Sequence, residues 1–205
     1  SSSFYSLFEG CSRLKSVNFN SADTSPVTSM QSMFKNCETL EEVNLSNQNM
    51  TKITSIDSMF YGCKKLTSLQ LGDCAFTGSV TNLNYLFYDT QSLTSLDLSK
   101  LSNAKPQSLD YAFANMKSIE SINLGVFSLT SLKTAKGLFS GDTNLKTFDL
   151  GNFTGSSISD LSAAFMDCTN LTSVDLSSFQ PNFGISSSYK LQQMFKNCVS
   201  LKTVI

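Results

Sequence analysis

Apolar and polar positions along this chain renew themselves about every 26 residues. Phenylalanine stands at Phe8, Phe34, Phe60, Phe87, Phe113, Phe139, Phe165 and Phe195, with successive spacings of 26, 26, 27, 26, 26, 26 and 30. Six residues after each comes Leu14, Leu40, Leu66, Leu93, Ile119, Leu145, Leu171 or Leu201, and nine after it Val17, Val43, Leu69, Leu96, Ile122, Phe148, Val174 or Val204. Three residues after it stand Cys11, Cys37, Cys63, Thr90, Met116, Asp142, Cys168 and Cys198. A period of this length held over eight copies is the signature of a stacked repeat.

Each copy joins two periodicities. Leu171-Thr-Ser-Val-Asp-Leu176 ends in an apolar/polar alternation, the mark of a strand with one buried face. Val27, Met30, Met33 and Phe34 are spaced i, i+3, i+6 and i+7, which predicts a short helix. Two residues after each Phe sits Gly10, Asn36, Gly62, Asp89, Asn115, Gly141, Asp167 or Asn197, a column of the three residue types that best tolerate the left-handed conformation and so end a helix. A unit this small cannot bury its apolar face alone, so like stacks on like. The expected fold is an α/β solenoid of about eight repeats over residues 1–205, with parallel strands on one face and short helical or 3₁₀ segments on the other. The Phe column would be its buried spine.

The run Met33-Phe-Lys-Asn-Cys37-Glu-Thr-Leu40-Glu-Glu-Val43-Asn-Leu45-Ser46 resembles the BspA-type leucine-rich repeat, in the branch of 25 to 26 residues found in bacterial surface proteins, including those of mycoplasmas. The resemblance covers essentially the whole chain. It implies a right-handed leucine-rich-repeat solenoid, display on a cell surface, and adhesion or host interaction. Three central copies lack the Cys, Ala112 and Ala164 replace the Met before Phe, and the last spacing has four extra residues. Both ends fall mid-pattern, so a longer parent chain is expected.

Charge and composition narrow the function. Fifteen basic residues meet sixteen acidic ones for a net charge of −1, leaving no basic excess for nucleic acid or an anionic membrane. Histidine is absent, and no nucleophile–base motif replaces it, so no enzyme, metal or cofactor is expected. Apolar stretches are too short for membrane insertion. Five of the six cysteines share one column, and stacked rungs about 4.8 Å apart suit a disulfide poorly, so buried free thiols are expected. Asp149 and Asp175, one rung apart, could in principle hold a cation, but no further acidic cluster supports them.

The strand face is the expected place for recognition. Its outward columns are Ser/Thr, including Ser68, Ser95, Ser121, Thr147 and Ser173, beside Asn/Asp/Gln, including Gln70, Asp97, Asn123, Asp149 and Asp175. Such a platform suits a protein or glycan ligand on a cell or matrix surface. The irregular copy at 177–193 offers Phe183 and Tyr189 as a second, loop-borne candidate. A stalk, or end-to-end self-association, is the alternative.

Overall fold

A computed structural model describes residues 2–20, 22–71, 76, 80–149, 158–177 and 190–205. The chain winds as a solenoid whose coils pair in parallel. One face carries three short sheets. β2 (Ser16–Asn18), β4 (Glu42–Asn44) and β5 (Ser68–Gln70) form the first, β6 (Ser121–Asn123) and β7 (Thr147–Asp149) the second, and β8 (Ser173–Val174) and β9 (Thr203–Val204) the third. Pairing keeps the repeat register: Val17 faces Val43, Val43 faces Leu69, and Ile122 faces Phe148. On a second side β1 (Ser2–Ser3) pairs with β3 (Val27–Ser29), and single bridges continue the line through Ser55, and from Asn82 through Ser108, Thr134 and Asp160 to Lys190.

The helix expected from the Val27 to Phe34 spacing is absent. Val27–Ser29 is strand β3, and Met30 to Asn36 is a run of turns. Among the described residues the one helical element is a single 3₁₀ turn, Ser99–Leu101. The backbone hydrogen bonds give the reason. The amides of Met30, Ser32, Phe34 and Asn36 donate to the carbonyls of Ser55, Asp57, Met59 and Tyr61 in the next coil, at 2.7–3.0 Å. Amides committed to a neighbouring coil cannot close a helix to residue i−4. The alternate amides Met33, Lys35 and Cys37 instead close three-bond turns onto Met30, Ser32 and Phe34. Apolar residues at helical spacing here fill the inside of a stacked turn.

Two columns of each coil have positive φ. One is the Gly/Asn/Asp column from Gly10 to Asn197, with φ between 58° and 82°. The other lies two residues before Phe: Ser6, Ser32, Ser58, Tyr85, Tyr111, Gly137, Ala163 and Gln193, with φ between 52° and 59°. Both occupy the third position of a turn closed from residue i to i+3, except at Asn115, where Asp142 takes the closing amide of Met116; this is the place where a type II turn requires φ > 0.

Inside, the Phe rings stack from coil to coil. Centroids lie 5.3–6.1 Å apart from Phe8 through Phe34, Phe60, Phe87, Phe113, Phe139 and Phe165 to Phe195. The six inner rings are buried, and Phe8 and Phe195, in the outermost coils, are half-buried. Truncating an inner one to alanine would cost roughly 3–5 kcal/mol.

The cysteine column has a bonding role. Thiols of Cys37, Cys63, Cys168 and Cys198 donate to the carbonyls of Phe8, Phe34, Phe139 and Phe165 in the preceding coil, at 2.9–3.1 Å. All five described cysteines are free; Cys37, Cys63 and Cys168 are buried, Cys198 is half-buried, and Cys11 is exposed, against the expectation of burial. Cys74 lies outside the described residues. Burial pushes the Cys37 thiol up to about 11, and Cys63 and Cys168 higher still.

Asp142 in this column breaks the pattern. It is fully buried, and its Oδ1 takes the Met116 amide at 2.8 Å, which in the other copies bonds the Phe carbonyl three residues back. Phe113 O is left as the one column carbonyl without that amide, and Asp142 Oδ2 has no partner. Desolvation raises this carboxyl well above the carboxylate range, opposed weakly by the Met116 bond. Burial therefore favours the protonated form of this group, in the column from which thiols elsewhere donate to the preceding Phe carbonyl.

Candidate functional site

The strand face is built from the outward residues of β2 and β4–β9. Ser16, Glu42, Ser95, Ser121, Thr147, Ser173 and Thr203 are exposed and Ser68 is half-buried, while Val43, Ile122 and Val174 between the columns are buried. The pleat puts the hydroxyl column outside because it alternates with the core residues. Register brings Ser68 against Glu42, Thr147 against Ser121, and Thr203 against Ser173.

The second column does something sequence reading missed. The Oδ1 atoms of Asn18, Asn44, Asp97, Asn123 and Asp175 accept the amides of Asn20, Ser46, Ser99, Gly125 and Ser177, two residues on, at 2.7–3.0 Å. These are Asx turns, which bend the chain away at the end of each strand. The signal was present as Asn or Asp followed two residues later by Ser, Gly or Asn. The bonds hold the carboxyl of Asp97, chiefly through the Ser99 amide, and that of Asp175, chiefly through the Ser177 hydroxyl, below the usual range, so both are ionised at neutral pH. Asp149 pairs across to Asn123 in register.

The face is interrupted at the fourth coil. Residues 95–97 form no strand, and Leu69 and Leu96 are half-buried where Val43 and Ile122 are covered. Two hollows of about 360 and 250 Å³ adjoin there, sharing Leu69 and Asp97. Gln70 and Lys100 line the larger and Ser68 and Ser95 the smaller. Four of the ten expected strand-face residues, Ser68, Gln70, Ser95 and Asp97, thus line these hollows. Ser173 and Asp175 lie on β8 and just beyond it. Phe183 and Tyr189 lie outside the described residues.

Among the described residues, no group of three or more His, Cys, Asp or Glu could hold a metal ion, and no helix is long and apolar enough to cross a membrane. Asp149 and Asp175 stand on β7 and after β8, which belong to separate sheets.

Among solved structures, the chain is similar to several bacterial leucine-rich-repeat proteins. One from T. pallidum shares 18% identity over 87% of this chain and 62% of its own, with a TM-score of 0.42. A leucine-rich cell surface protein from Faecalibacterium prausnitzii shares 16% over 98% and 68%, TM-score 0.39, and one from Bacteroides ovatus 19% over 87% and 58%, TM-score 0.30. The chain thus spans roughly six tenths of the length of the solved chains it resembles. No curated protein matches it. A family match covers residues 2–107 and again 107–205, nearly the whole sequence and in two consecutive blocks as the repeat demands. With its repeat, its parallel coils and that double match, the chain belongs to the family described as Mycoplasma protein of unknown function, DUF285.

Proposed function

We propose that residues 1–205 act as one non-enzymatic, surface-displayed binding module that engages a protein or glycan through the strand face. The observation that carries this reading is the exposed column Ser95, Ser121, Thr147, Ser173 and Thr203, presented coil after coil and alternating with the inward column that includes buried Ile122 and Val174. A hydroxyl column of this kind is a long hydrogen-bonding platform, the sort of extended surface that solenoids use for recognition. The F. prausnitzii relative is described as a cell surface protein, which agrees with display outside the cell.

The test is a binding screen of the soluble chain against matrix proteins, mucin and a glycan array, beside the double variant Ser121→Arg, Asn123→Arg. Binding lost in the variant supports the strand face. Binding retained moves recognition to 177–193 or the turn side.

The alternative reading is a structural stalk or end-to-end assembly repeat. Light scattering across a concentration series separates the two, since a binding module need not grow with concentration.

A further inference from the structure

Four of the chain's six tyrosines gather on the turn side of the third, fourth and fifth coils. Tyr61 and Tyr88 each follow a spine Phe, and Tyr85 and Tyr111 each stand two residues before one. All four are half-buried. Rings of the same column lie nearly parallel, Tyr61 and Tyr88 at 4.8 Å and 18°, Tyr85 and Tyr111 at 5.3 Å and 9°. Between columns the rings are tilted or edge-on, with Tyr85 and Tyr88 at 5.7 Å and 67°. Backbone bonds hold each pair in register. The amides of Phe60 and Gly62 donate to Leu86 and Tyr88, and those of Tyr85 and Phe87 to Asp110 and Ala112, at 2.8–3.0 Å. The Asn115 side-chain amide donates to the Tyr88 hydroxyl at 3.2 Å, and the Tyr111 ring lies where a Cβ on Gly137 would run into it. Residues 95–97, in the coil of Tyr85 and Tyr88, form no strand, so the two pairs meet that coil's neighbours on its other side.

We propose that the two parallel pairs are sites of oxidative cross-linking, Tyr61 to Tyr88 and Tyr85 to Tyr111, which staple the fourth coil covalently to the third and the fifth. The co-reactant is a one-electron oxidant of the class that peroxidases generate. Each phenol gives one electron to the oxidant and one proton to water. The two phenoxyl radicals join through the ring carbon next to each hydroxyl, and the protons on those carbons pass to the oxygens, restoring both phenols. Each link therefore removes two hydrogen atoms from the chain and delivers two electrons to the oxidant. Burial, and after it the neighbouring phenols and the Asp110 and Asp89 carboxylates, keep Tyr85 and Tyr88 in the phenol form, so each oxidation releases a proton. Parallel stacking sets the π orbitals of the two radicals face to face, and groups held in this way react as though highly concentrated. An edge-on pair offers no such overlap.

The experiment oxidises the intact chain with light-activated ruthenium tris-bipyridine and persulfate at several protein concentrations, reduces any disulfide, and maps the peptides by mass. The expected product is a monomer lighter by two hydrogen atoms per link, with the blue emission of dityrosine and a yield independent of protein concentration. Mapping is expected to join Tyr61 to Tyr88 and Tyr85 to Tyr111. Substitution by phenylalanine keeps each ring and removes its phenol. Tyr61→Phe should lose the first link and keep the second, and Tyr111→Phe the reverse. The double variant Tyr61→Phe, Tyr111→Phe leaves Tyr85 and Tyr88 close but edge-on, and its yield within the monomer should fall about ten-fold or more. The cross-linked monomer should unfold at a higher urea concentration than the untreated chain, because a staple restricts the unfolded state as a disulfide does. Links found only in dimers, links that join other tyrosines, or undiminished yield in the double variant each overturn the proposal. So do the absence of any link and a lowered urea midpoint.

Discussion

The turn side and the strand side of this solenoid are cut from the same repeats, yet one is continuous and the other is broken. Every successive pair of coils from Phe4 to Lys196 is joined on the turn side by at least three backbone hydrogen bonds. On the strand side the described residues form separate sheets of three, two and two strands. The turn side also carries the Phe stack, so its hydrogen bonds are shielded by the largest buried side chains. Strand-side bonds span only two or three residues per coil beside open solvent. Stability concentrates where bonding and apolar burial coincide, and exposed ladders open first.

The largest expected effect tests that contrast directly. Phe113→Ala should lower unfolding stability by about 3–5 kcal/mol, whereas Leu96→Ala, at a half-buried strand position, should cost under about 1.5 kcal/mol. Urea titrations of both variants check this, and equal losses would mean that the two sides are energetically alike.

Glycine and non-glycine members of one positive-φ column should respond in opposite directions. Gly137 has φ +58°, and an added Cβ would run into the Tyr111 ring, so Gly137→Ala should destabilise by more than about 2 kcal/mol. Gln193 is exposed at φ 59°, and Gln193→Gly should gain about 0.5 kcal/mol, the relief of left-handed strain less the extra freedom of the unfolded chain. Thermal melts of the two variants give both signs.

Asp142 sharpens the comparison through pH. Its folded pKa is raised, so above the unfolded value near 3.8 the native state holds a proton the unfolded chain releases. The stability this proton confers is complete below that value and is lost as pH rises towards the folded pKa. Asp142→Asn keeps the acceptor for the Met116 amide and adds a permanent donor. It should match wild type near pH 4 and exceed it at pH 8, by about 1.4 kcal/mol for each unit of raised pKa. Urea midpoints at the two pH values check this, and a constant difference would mean the acid is ionised in the fold.

The smallest effect is chemical. Native Cys11 should react with a thiol reagent rapidly, while Cys37, Cys63 and Cys168 should react only on unfolding, because they are buried and, as the Cys37 pKa of about 11 illustrates, held protonated. Peptide mapping of the labelled sites reads this out.

Much of the molecule could be read in advance. Stacked coils with parallel pairing follow from the 26-residue period, and the Gly10 to Asn197 column announced one left-handed turn, because only Gly, Asn and Asp occupy it. The second turn was hidden, since Ser32, Tyr85, Ala163 and Gln193 have no local preference for positive φ. The helix was misread because spacing reports which side chains face inward, and a stacked turn can present Met30, Met33 and Phe34 inward as a helix would. On the strand face the exposed hydroxyl column was legible from alternation. The Asx turns left a local mark, Asn or Asp two residues before Ser, Gly or Asn, that alternation alone did not bring out, whereas the break at residues 94–97 left none, since it depends on where backbone amides find acceptors in the next coil.

The sequence by itself therefore determined the repeat, its register and the buried columns, because the hydrophobic effect acts on residue type and spacing. The tertiary structure alone decided that the inner segment would be turns, that Ser, Tyr and Ala would accept left-handed backbone, and that the described strand side would break into separate sheets. Those outcomes depend on amides bonding to the next coil, and an interaction between residues 25 to 29 apart leaves no mark in the local sequence.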